Sequence, residues 1–196
     1  MHFIRNGGTL MTSMIEWAAE QATSHLSLLG DRWLHTKGVV RRARYVGETL
    51  KEEDHALLIA AAYLHDIGYA PQLQRTGFHP LDGAYYLLSL GQKRLASLVA
   101  YHSEAEYEAR LRGLTEELNS IPHEHSIIAD ALTYCDMTTG PTGGHVSFEE
   151  RTADIFERYG EAHIVHQAVL RATPALTEAV RHTQNVLHWQ GVVCPD

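Results

Sequence analysis

The feature that most constrains this chain is an apolar run, Ala56 to Leu64 (ALLIAAAYL), that ends directly in His65 and Asp66. A run of this kind, with no polar face, reads as a helix surrounded by other helices. We expect it to extend from about Glu53 to Ile67, with Gly68 and Pro71 ending it. Its end therefore carries a histidine and a carboxylate into the interior. Burying a carboxylate without a partner costs on the order of several kcal/mol, so Asp66 needs a cation or strong donors. A divalent metal satisfies it, with His65 supplying a neutral imidazole.

The remaining segments read as helices joined by short breaks, with little β alternation. They are expected at Met14–Leu29, stopped by Gly30, and from Asp31 as N-cap through His35 to Val46. Further helices are expected at Pro80–Leu90, Lys93–Tyr101, Glu104–Arg112, Glu124–Cys135, Ser147–Tyr159, His163–Arg171 and Pro174–Trp189. Pro80 suits a first helical turn, and Ser147 with Glu150 forms a capping-box pattern. The segment Thr138–Gly144 (TTGPTGG) is the clearest loop. No repeat, low-complexity tract or linker divides the chain. The expected architecture is all-α, a single-domain helical bundle over residues 1–196.

At 44% hydrophobic and 20% charged residues, the chain has the material for one core. No apolar stretch approaches the ~20 residues of a membrane span, and Met1–Leu10 lacks the apolar centre of a signal peptide. No membrane partner and a cytoplasmic location are the expectation. Sixteen basic residues against 24 acidic ones, a net charge of −8, disfavour a nucleic-acid partner. They leave room only for a local basic patch at Arg41, Arg42 and Arg44. Cys135 and Cys194 match no zinc or redox spacing and read as unpaired thiols in a reducing compartment.

Fourteen histidines stand out, and the question is which have partners. Asp136 repeats the arrangement of Asp66, because the apolar segment Ile127–Cys135 ends in an acid at the mouth of a Gly-rich loop. His35, near Leu34, Val39 and Val40, is expected to face inward. Singly, each has a plainer reading: a hydrogen-bonded core histidine, or an Asp that forms a turn. His163 and His166 share a helical i, i+3 spacing but lack a third ligand, so they, His182 and His188 read as ordinary helix-face residues. Val180, Val186, Leu187 and Trp189 would close the bundle or form a homodimer contact.

His35, then His65–Asp66 within AAAYLHDIG, then a distant Asp136 resembles the signature of the HD-domain superfamily of phosphohydrolases. The similarity covers about Trp33 to Asp136. It implies an HD-type core over about 31–140, with C-terminal helices at 147–190 packing on it, and four side chains that bind a divalent cation. His79 in GFHPLDGAYYL and His102 in LVAYHSEA extend the resemblance to the subset of HD proteins that bind two metals. That subset includes dinucleoside polyphosphate hydrolases and HD-GYP cyclic-dinucleotide phosphodiesterases. The resemblance implies that Asp66 bridges the metals, that His35, His65 and Asp136 hold one, and that His79 and His102 hold the other. No GYP string follows His102, which argues against cyclic-dinucleotide cleavage, and the extra histidines argue against the simplest one-metal members. Imidazole-rich ligation favours iron or manganese, with magnesium, zinc, nickel or cobalt as alternatives.

The expected activity is hydrolysis of a small phosphorylated metabolite or nucleotide, as a phosphomonoester or phosphodiester, by metal-activated water. Asp66 is assigned to the catalytic centre. Phosphate binding needs positive charge close to the metals, and Arg75, in the loop before His79, and Lys37, on the His35 helix, are the expected catalytic cations. Arg41, six residues after His35, is a weaker candidate. Two other readings use the same ligands: a di-iron oxygenase on an HD-like scaffold, and a non-catalytic nucleotide- or metal-binding module.

Overall fold

The computed structural model describes residues 7–191. Cys194 and the first six residues lie outside them. Ten α-helices make up the described chain, and no strand is present among the described residues. They are α1 (Gly7–Leu26), α2 (Asp31–Gly47), α3 (Glu52–Leu64), α4 (His79–Ser89), α5 (Lys93–Tyr101), α6 (Glu106–Arg112), α7 (Thr115–Asn119), α8 (Ile127–Met137), α9 (Phe148–Arg158) and α10 (Ile164–Trp189). The all-α expectation holds, and no helix is long and apolar enough to cross a membrane.

Helix α3 is the centre. Residues Ala56 to Ala62 and Leu64 are all buried, and the helix packs against α1, α2, α5 and α8. That surround explains why its sequence has no polar face: every direction meets another apolar stripe. The helix stops at Leu64, three residues short of the expected end, and the chain tightens into 3-10 turns at Ile67–Tyr69 and Pro71–Leu73.

Two differences from the sequence reading have clear causes. Gly30, not Asp31, caps α2, with a left-handed φ of 55°, and Asp31 instead sits in the first turn, where a carboxylate favours the helix dipole. The expected break before Pro174 is absent, and α10 runs through it. The carbonyl that Pro174 leaves without its usual partner belongs to Leu170, an exposed residue on the outer side of the bundle. The capping box at Ser147 is present, with Ser147 Oγ accepting from the Glu150 N–H and Glu150 accepting from the Ser147 N–H. Ser126 caps α8, which starts three residues later than expected.

The candidate basic patch does not form. Arg42 is buried beside Tyr134, Arg41 donates to the Gly143 carbonyl at 2.7 Å, and Arg44 is exposed. Val180 and Leu187 are buried and close the bundle, whereas Trp189 is exposed.

Candidate metal centre

Helix termini bring five of the six expected ligands together, and α2 supplies the sixth from within the helix. His65 and Asp66 follow the end of α3, His79 opens α4, His102 follows α5, and Asp136 lies in the last turn of α8. His35 reaches in from α2, and its ring lies 5.5 Å from that of His65. All but His79 are buried, and the His79 side chain is 19% exposed.

Two close approaches make this convergence possible. A Cβ on Gly68 would lie 2.0 Å from the His79 carbonyl oxygen, so only glycine lets the turn after Asp66 lie against α4. A Cβ on Gly38 would meet the backbone of Gly143 at 2.5 Å, so glycine likewise lets α2 press against the loop after Asp136. Asp82 orients the entry to α4. Its buried carboxylate accepts from the Thr76 N–H and hydroxyl, both at 2.8 Å, and from the Gly77 N–H at 3.1 Å.

Two groups of side chains have ligand atoms mutually within 4.8 Å: His35, His65 and Asp66, and Asp66, His79 and His102. Asp66 belongs to both. Its Oδ2 lies 3.2 Å from His65 Nε2 and 3.9 Å from His35 Nε2, while its Oδ1 lies 3.4 Å from His79 Nε2. One carboxylate thus turns one oxygen to each group. Asp136 joins the first group through His35 Nε2, 2.9 Å from Oδ1, and its Oδ2 accepts from Ser103 Oγ at 2.5 Å.

The donor chemistry fits divalent metal ions. His35, His65 and His102 each place Nδ1 within hydrogen-bond distance of a backbone carbonyl: Gly140 at 3.1 Å, Ala62 at 2.8 Å and Val99 at 2.6 Å. A carbonyl can only accept, so Nδ1 carries the proton and, in the neutral ring, Nε2 keeps its lone pair. In all three it is Nε2 that points to the shared centre. His65 Nε2 is buried and faces only the Asp66 carboxylate oxygen at 3.2 Å, without a well-formed hydrogen bond; in the Nδ1–H tautomer the two lone pairs oppose each other, an arrangement that a metal ion would satisfy.

Electrostatics agree. Burial disfavours the charged form of His79 and His102, lowering both pKa values and keeping these rings neutral and available as ligands. Burial also opposes charging His65, but the adjacent Asp66 carboxylate outweighs it and raises that pKa, so this position attracts positive charge. Asp66 and Asp136 are held ionised despite burial: Arg32 and His65 act chiefly on the first, His35 on the second.

Arg32 is the principal residue that the sequence reading missed. Its Nη1 donates to Asp66 Oδ2 at 2.6 Å, and its guanidinium lies 4.0 Å from the Tyr69 ring centre. Tyr69 in turn stacks on His79 at 4.0 Å between ring centres. Arg32 precedes His35 by three residues, so both project from one face of α2; that spacing was the available signal. The two expected catalytic cations lie elsewhere. Lys37 is exposed and sits 5.7 Å from the Trp33 ring, because two residues along a helix turn it away from His35. Arg75 is exposed on the loop whose next two residues are tied to Asp82.

A cavity of about 120 Å³ opens over Asp66, His79, His102 and Asp136. Its remaining wall includes Arg32, Tyr69, Glu108, Arg151 and Arg158. A larger cavity, about 460 Å³, shares His102 but is lined by Glu104, His123, His125 and Asp130. Neither group of metal-competent side chains centres on it, so ligand chemistry and not size marks the smaller cavity as the candidate cleft. Of the other histidines, His163 accepts from the Val165 N–H at the start of α10, His166 bonds the Tyr159 carbonyl, and His182 pairs with Asp130 at 2.6 Å.

Comparison with curated proteins and with solved structures gave no match. The family model described as HD domain matches residues 32–138, more than half of the chain, and spans every one of the six clustered His and Asp side chains. The chain belongs to the HD-domain family.

Proposed function

We propose that this protein is a metal-dependent phosphohydrolase acting on a small phosphorylated metabolite or nucleotide. The observation that carries this reading is the pair of His/Asp groups sharing Asp66, with three imidazoles fixed by backbone carbonyls so that Nε2 faces the centre. In this reading Asp66 would be shared between two ions, His35, His65 and Asp136 would hold one, and His79 and His102 would hold the other. Iron or manganese suits a set so rich in imidazole. Metals in such a site supply Lewis acidity: they lower the pKa of water and offset negative charge on phosphoryl oxygens.

The chain's own residues contribute orientation and charge. Arg32 neutralises part of Asp66 and faces the cleft, where it can donate to a phosphoryl oxygen. Asp136 accepts from Ser103, which holds its carboxylate in one rotamer against His35. Tyr69 stacks on His79 and lines the cleft beside it. The cleft is smaller than the roughly 300–1,000 Å³ of typical small-molecule pockets, which favours insertion of a terminal phosphoryl group with the rest of the substrate outside.

The test is a panel of phosphomonoesters, nucleotides and dinucleoside polyphosphates, assayed anaerobically with iron and manganese. Hydrolysis that is lost in Asp66→Ala supports the reading. Oxygen consumption without phosphate release would replace it with the oxygenase reading, and metal binding with neither activity would favour the binding module.

A further inference from the structure

Helix α9 lies outside the matched family core, yet it lines the cleft with Arg151, Ile155 and Arg158. Arg151 and Arg158 are seven residues apart, two turns on one helical face and about 10 Å along the axis. Both nevertheless reach the same carboxylate. Arg151 Nη1 lies 3.1 Å from Asp154 Oδ2, and Arg158 Nη2 lies 2.7 Å from the same oxygen and 3.0 Å from Oδ1. The guanidinium groups are therefore already drawn together around one anion.

Arg151 is the unusual member. Its side chain is only 10% exposed, and its Nε is buried with no hydrogen-bond partner. A buried guanidinium N–H left unbonded carries a desolvation penalty that a hydrogen bond to an incoming anion would remove. Both arginines line the same cleft as Asp66, His79, His102 and Asp136. Asp154 itself is 39% exposed.

Building on the phosphohydrolase reading, we propose that Arg151 and Arg158 form an oxyanion subsite that binds the substrate's phosphoryl group, with Asp154 as an internal placeholder which the phosphoryl displaces. Arginine suits this role because its planar fork meets two oxygens of a tetrahedral oxyanion at once. The substrate class that follows is one with a terminal, doubly charged phosphoryl group. An internal diester, with a single charge shared by two oxygens, would gain less from displacing a carboxylate.

The experiment is calorimetric titration of inorganic phosphate into the full chain, metal-free and manganese-loaded. Arg158→Ala, an exposed position, and Arg151→Lys should each weaken phosphate binding about tenfold, the loss of one charge-assisted contact. Asp154→Asn should strengthen it several-fold by removing the competitor. Arg181→Ala, on the outer face of α10, should change nothing. Unchanged affinity in both Arg158→Ala and Asp154→Asn would overturn the subsite, even if the enzyme hydrolyses phosphoesters. Arginine-dependent phosphate binding without hydrolysis of any phosphoester would uphold the subsite and overturn the phosphohydrolase reading alone.

Discussion

Gly68 lies against the backbone of His79 so closely that a methyl group at position 68 would sit 2.0 Å from the His79 carbonyl oxygen. The glycine two residues after Asp66 is thus what brings Asp66 and His79, one from each side of the turn, into a common cluster. Gly68→Ala must push α4 outward. We expect it to destabilise the fold by at least about 1–3 kcal/mol, the usual range for overpacking, and to lower metal content. Thermal melting and elemental analysis of the same sample measure both effects.

Asp82 holds the loop that leads into His79 through three hydrogen bonds from Thr76 and Gly77. Asp82→Ala leaves the Thr76 and Gly77 N–H groups without their acceptor. The expected loss is about 3 kcal/mol, in line with removing charge-assisted bonds from a buried acceptor. Denaturant unfolding would report it. A loss below about 0.5 kcal/mol would mean that water replaces Asp82, a range typical of surface positions.

The bridging role proposed for Asp66 differs from that of His102 in metal stoichiometry. Protein purified without chelator should carry two metal ions per chain on the proposed two-metal reading, an expected stoichiometry that follows from shared carboxylate ligation. Asp66→Ala should lose both, and His102→Ala about half. Equal occupancy in wild type and His102→Ala would remove His102 from the ligand set.

Glu124 accepts two hydrogen bonds from Arg94 and one from Ser126. Burial pushes its pKa up, but the Arg94 and Ser126 bonds outweigh burial and the net shift is downward. A carboxylate with a depressed folded-state pKa stabilises the fold above its unfolded value, about 4.3. That contribution is lost as pH falls through the folded-state pKa. Glu124→Gln should therefore cost under about 1 kcal/mol at pH 7, since Arg94 is half exposed and the pair is screened. The difference from wild type should shrink toward zero in acid. A gap that persists at low pH would assign the effect to packing instead of charge.

The parts of the molecule written in local sequence were legible. Helix α3, the capping box at Ser147 and the Gly-rich turn after Asp136 follow from apolar runs, a Ser-x-x-Glu spacing and glycine, each a short-range preference. Helix ends were less so. The joining of α10 across Pro174 depends on an outward-facing turn, which the sequence does not announce.

For the site, the sequence by itself carried the types and order of the candidate ligands: a histidine and an aspartate closing a buried helix, His35 within the second helix, and His79, His102 and Asp136 at other helix ends. Which cations stand beside them was decided only by the tertiary structure. Arg75 and Lys37 are near the ligands along the chain, yet loop anchoring and helical rotation turn them to solvent. Arg32 meets Asp66 across 34 positions, and Arg151 and Arg158 arrive from a helix beyond the family core. The candidate ligands were legible because burying an acid demands a local solution, whereas a guanidinium on a long side chain is placed by whichever helices happen to pack together.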